Sequence, residues 1–121
     1  MNIDSLQKYC LKKEGVTEGF PFDEETLVFK VAGKMFCLVN LTPPRSINLK
    51  CDPERAVELR EEYEYIIPGY HMNKKHWNTV DLQGTLNDSL IEELIDDSYS
   101  LVFAGLPKNV DIEISVIAHE D

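Results

Sequence analysis

Apolar and polar positions change period several times along the chain, and each change marks an element. Ile3, Leu6 and Cys10 recur at helical spacing with Tyr9 beside them. This predicts a helix over residues 3–14, capped by Asn2 or Asp4 and ended by Gly15. Gly19-Phe20-Pro21-Phe22 reads as a turn whose two aromatics pack against the following sheet. Over 26–31 the period becomes two, with Leu27, Phe29 and Val31 facing one way and Val28 and Lys30 the other. Ala32-Gly33 is a tight turn into a second strand, 34–40. Strict alternation there puts Met35, Cys37 and Val39 on one face and Phe36 and Leu38 on the other. A third strand, 46–51, turns Ile47 and Leu49 inward.

Asp52-Pro53-Glu54 opens a helix: an N-cap carboxylate, a proline at the first helical position and an acid at the positive end of the dipole. It runs to about Tyr63, and Ile66-Ile67-Pro68-Gly69 breaks it. Residues 70–75 form a polar, basic connection to a strand over 77–82, with Val80 and Leu82 inward. Ser89 and Glu92 have capping-box spacing, and Leu90, Ile91, Leu94, Ile95, Val102 and Phe103 form one apolar stripe up to Gly105 and Pro107. Beyond it Val110, Ile112, Ile114 and Val116 alternate with polar residues, which predicts a further strand over 110–117. The resulting order is α-β-β-β-α-β(β)-α plus a C-terminal strand. Helices interleaved with hairpin-linked strands predict an α+β two-layer sandwich, mainly antiparallel, with the helices on one face. One domain is expected over 1–106, followed by an extension over 107–121.

Composition adds little to that picture. At 121 residues, 43% hydrophobic and 28% charged, the chain is an ordinary globular domain. Its apolar runs are too short to span a bilayer, and its first residues do not resemble a signal peptide. Cys10, Cys37 and Cys51 are an odd set without metal spacing, which predicts reduced thiols in a cytoplasmic protein.

Charge changes the picture more. The net charge is −10, which argues against gripping nucleic acid through phosphates. Yet residues 26–51 contain no acid and four bases, Lys30, Lys34, Arg45 and Lys50. Residues 65–80 contain no acid and two bases, Lys74 and Lys75. Solvated faces alone could produce such windows; the sharper reading is one basic face on an acidic body. The second window also holds Tyr70, His71, Asn73, His76 and the only tryptophan, Trp77. If Val80 faces the core, Trp77 and Thr79 point the other way, where an aromatic beside lysines can stack a base and hold a phosphate. Trp77 as a lid on the core, beside lysines that merely solubilise a loop, is the simpler alternative on physics alone.

No phosphate loop, dinucleotide fingerprint, nucleophile elbow or zinc-protease motif occurs, and no carboxylate pair has an evident cleft. A non-enzymatic protein without a cofactor or a metal is expected. His71, His76 and Asp81 are spaced too loosely to argue for a metal site.

The ordered motifs resemble the MmcQ/YjbR family. They are Gly19-Phe20-Pro21-Phe22, Phe29-Lys30-Val31, Lys34-Met35-Phe36, Ser46-Ile47-Asn48-Leu49-Lys50 before Asp52-Pro53-Glu54, Lys74-x-x-Trp77, and Ser98-Tyr99 with Leu101-Val102. The likeness covers about residues 3–105. It implies a small α+β fold and DNA binding through a double-wing motif built from the hairpins. Carried onto this chain, the implied contacts are Lys30, Lys34, Arg45, Lys50, Lys74, Lys75 and Trp77. At −10 overall, DNA binding is expected to be weak and strongly salt-dependent. The alternative is a protein-interaction or chaperone-like module that uses the acidic helical face (Glu92, Glu93, Asp96, Asp97) or strand 110–117, the latter pairing two copies into a homodimer.

Overall fold

The computed structural model describes residues 1–107 apart from His71 and Thr85. The strand expected over 110–117, and the homodimer contact expected of it, lie outside the described residues. The order is α1 (Ile3–Leu11), β1 (Val16–Gly19), β2 (Thr26–Val31), β3 (Lys34–Asn40), β4 (Ser46–Lys50), α2 (Pro53–Glu62), β5 (Ile66–Pro68), β6 (Trp77–Asp81) and α3 (Asp88–Ala104). The six strands form one sheet in the order β1-β2-β3-β4-β6-β5, and every pairing is antiparallel. The fold is the expected α+β arrangement, with two edge strands, β1 and β5, added. Both are too short, at four and three residues, for alternation to reveal them.

The helix starts follow their sequence signals. Asn2, Asp52 and Asn87 each accept a hydrogen bond from a backbone N–H of the first turn, and Pro53 occupies the first helical position of α2. α1 ends at Leu11, about one turn earlier than its periodicity suggests. At the β2–β3 turn Ala32 and Gly33 both have positive φ, the geometry that joins two twisted strands without splaying them.

One row of the sheet carries all three helices. Glu18, Phe29, Cys37, Leu49, Asn78 and Pro68 are consecutive partners across the six strands. Gln7 of α1 donates to Glu18 at 2.9 Å, and Cys10 of α1 meets Cys37. Arg60 of α2 donates to Asn78 Oδ1 at 2.6 Å, and Asn78 donates to the Ala56 carbonyl. α3 lays Ile91, Leu94, Ile95 and Val102 over the same side, into a core with Leu27, Phe29, Val39, Ile47 and Val80. The next row, Gly19, Val28, Leu38, Asn48, Thr79 and Ile67, belongs to the other face, where no helix packs among the described residues.

Two expectations fail here for physical reasons. The pairing slips by one residue after Phe29, which faces Cys37 while Lys30 faces Met35. Phe36 is the extra residue of a bulge, so Phe36 and Cys37 both enter the core, and Met35 joins Leu38 on the helix-free side. Strict alternation had put them the other way. The turn's aromatics do not pack fully against the sheet: Phe22 is 63% exposed, and Phe20, 50% exposed, only borders it beside Val28 and Lys30.

The bulge leaves a backbone mismatch that α3 repairs. Ser98, fully buried, donates its hydroxyl to the Phe36 carbonyl at 2.5 Å and accepts the Lys50 N–H at 2.8 Å. One hydroxyl thus stands in for a rung between β3 and β4 where the regular ladder stops at Cys37 and Leu49. Ser98→Ala should lower unfolding free energy by about 1–3 kcal/mol, because it strands a buried donor and acceptor together. Urea denaturation measures this; an unchanged midpoint would mean the bridge carries no stability.

Candidate nucleic-acid interface

β2 and β4 run in the same direction and β6 runs against them, so Val31, Lys34, Lys50 and Trp77 all come to one end of the sheet. Lys30 lies between Phe29 and Val31, both core residues, and therefore turns to the helix-free side opposite Met35. Lys50 follows the buried Leu49, and Trp77 precedes Asn78, which is bonded to α2; the pair Lys50 and Trp77 thus faces the same way. From strand spacing, Lys30 and Lys50 are about 10 Å apart and Lys50 and Trp77 about 5 Å. Among the described residues, Lys30, Lys34 and Lys50 make no ion pair, whereas Lys8, Lys13 and Arg55 do.

The other sequence candidates are dispersed. Arg45 precedes β4, and its carbonyl accepts from the Leu82 N–H, so it sits at the opposite end of the sheet from Lys50. Lys74 folds back and donates its ammonium to the Gly69 carbonyl at 3.0 Å. Lys75 lines a groove with Pro53, Val57, Glu54 and Glu58, against the start of α2 and among acids.

The loop that delivers Trp77 is pinned from below. The Asn73 side chain accepts the Lys75 N–H, and its backbone carbonyl accepts the His76 and Trp77 N–H groups. Gly69 donates its N–H to the Trp77 carbonyl at 2.8 Å. A Cβ at Gly69 would lie 2.8 Å from the Trp77 Cβ, so only glycine admits that approach. Arg60 reaches across from α2 to the carbonyls of Lys74 and Trp77. Arg60 had no sequence signal, since an arginine on a charged helix reads as solvated until the loop it holds is known.

The chemistry elsewhere is internal. Asp96 accepts from the Tyr9 hydroxyl at 2.7 Å and pairs with Lys13, whose ammonium also sits over the Tyr9 and Tyr99 rings. Glu93 and Asp97 both approach Arg55 at 3.8 Å. Much of the acidic stripe of α3 is therefore spent holding α1 and α2. Burial pushes the Asp97 carboxyl up despite Arg55. It likewise pushes the Cys51 thiol up, so the entry to α2 makes no reactive thiolate there. The hydrogen bond with Cys10, together with burial, pushes the Cys37 thiol up as well. Among the described residues no three His, Cys, Asp or Glu side chains converge as a metal site. No helix among them is long and apolar enough to cross a membrane.

Comparison with known proteins places this geometry in a family. The YjbR family model matches residues 11–101. The chain is 44% identical to the uncharacterised protein YbdF of Escherichia coli O157:H7, over 87% of each chain. It is 37% identical to the uncharacterised protein YjbR of Escherichia coli K12, over 89% of this chain and 92% of that one. The crystal structure of Deinococcus radiodurans protein DR2400, described as a DUF419 domain, superposes with a TM-score of 0.88 at 44% identity, covering 94% of this chain and 88% of the other. With the same fold and matching sequence over most of its length, the chain belongs to the YjbR family.

Proposed function

We propose that this protein is a non-catalytic DNA-binding protein that contacts phosphates through the basic end of its helix-free sheet face. Lys30 and Lys50 supply the charge and Trp77 supplies a stacking surface, whereas Lys34, partnered with the core residue Val31, lies at the same end but on the helix side. The observation that carries the reading is the shared face: Lys30 and the Lys50–Trp77 pair lie on one side of the sheet, with no carboxylate paired to the lysines among the described residues. An ammonium left unpaired on a face without helices is free to meet phosphate oxygens, and an adjacent indole adds a π surface.

The reading narrows the seven candidate contacts. Arg45 at the far end, Lys74 on the Gly69 carbonyl and Lys75 among the acids of α2 contribute less than Lys30 and Lys50. Two phosphate contacts on a body of net charge −10 make binding weak and salt-sensitive.

Fluorescence anisotropy with labelled DNA at low and physiological salt tests this. Lys30→Glu with Lys50→Glu should weaken binding more than about tenfold and flatten the log–log salt slope by about two. Arg45→Glu should leave it within about twofold. Equal losses for the two sets, or none for the first, would contradict the reading. Gly69→Ala should move Trp77, seen as a shift of its emission, and cost about 1–3 kcal/mol of stability through overpacking. An unmoved emission maximum would show that Gly69 does not set the indole.

A further inference from the structure

The helix-free face has a second aromatic feature, at the edge opposite Trp77. Thr17 and Lys30 are partners across β1 and β2, as are Gly19 and Val28. These four residues floor a trough of roughly 310 Å³ whose wall is Phe20 and Pro21. The volume falls at the lower bound of ligand sites, ~300–1,000 Å³. Gly19 leaves the floor open, since nothing lies within 4 Å of where its Cβ would be. Glu18 also borders the trough, but its carboxylate is taken by Gln7 of α1. Phe20 is half exposed and has no ring partner among the described residues.

An aromatic wall, a glycine floor and an unpaired ammonium suit a flat heterocycle joined to a phosphate. The same face carries the partners Lys50 and Trp77, about 14 and 19 Å across the sheet from β1. A duplex keeps its base faces stacked inside and has none to offer Phe20 or Trp77; an unpaired strand offers one per nucleotide. Resting on the DNA-binding reading above, we infer that the ligand is single-stranded DNA, lying across the strands from the Phe20 trough to Trp77, with Lys30 and Lys50 between them on its phosphates.

The test compares a labelled 12-nucleotide oligothymidylate with a 12-base-pair duplex, using the full chain at low salt. The oligothymidylate should bind at least about tenfold tighter and should quench Trp77 fluorescence. Phe20→Ala should weaken it about fivefold or more, and Phe20→Tyr should restore it, since the loss is one of stacking. Phe20 lies at the surface, so both variants should keep the parent melting temperature. Duplex binding as tight as single-strand binding, or a Phe20→Ala variant that binds like the parent, would overturn this inference alone. If Lys30 and Lys50 still governed duplex binding, the broader reading would stand. Failure of the parent protein to bind either DNA would overturn both.

Discussion

All three helices compete for one face of the sheet, and that constraint organises the molecule. The row Glu18, Phe29, Cys37, Leu49, Asn78 and Pro68 takes contacts from α1, α2 or α3 along most of its length. The bulge at Phe36 adds a large side chain to that core at the cost of a ladder rung, and Ser98 replaces the rung from the helix side. Because the apolar stripe of α3 is committed there, no described helix remains to cover the other face. That face is left to strand side chains and the loops at its edges, Phe20 and Pro21 among them.

The charge distribution follows the same division. Acids of α3 are turned to structural use, Asp96 against Lys13 and Tyr9, and Glu93 and Asp97 against Arg55. The strand lysines receive none of them. A chain of net charge −10 therefore keeps a local positive strip, because its negative charge is concentrated on helices and loops. Field strength at that strip is reduced by the acidic body behind it. A contact with phosphate at that strip would therefore be salt-sensitive rather than tight.

Much of this was legible in the residues. The Asp52-Pro53-Glu54 start, the Ala32-Gly33 hairpin and the long stripe of α3 each obey a strong local rule, and each element appeared where expected. Of the residues in the acid-free windows, Lys30, Lys50 and Trp77 come to one side of the sheet, since charge along a strand survives folding as charge along a sheet face. What was hidden depended on partners distant in the chain. β1 and β5 exist only because β2 and β6 offer them an edge. Phe36 enters the core through a slip that alternation cannot reveal. Ser98 looks like one more small residue on an apolar stripe until the carbonyl 62 residues away is known. Lys74 and Lys75 look alike as neighbours in a basic loop, but the loop's own hydrogen bonding turns one to Gly69 and the acids of α2 border the other.

The proposed meeting place with DNA is the helix-free face at its Lys30, Lys50 and Trp77 end. The most direct measurement is a heteronuclear NMR titration of the labelled protein with oligothymidylate. The amides of Lys30, Met35 and Lys50 and the Trp77 indole N–H should shift progressively, while amides of α1 and the outer face of α3 stay in place. Shifts concentrated on the helices, with the Trp77 indole unmoved, would contradict it.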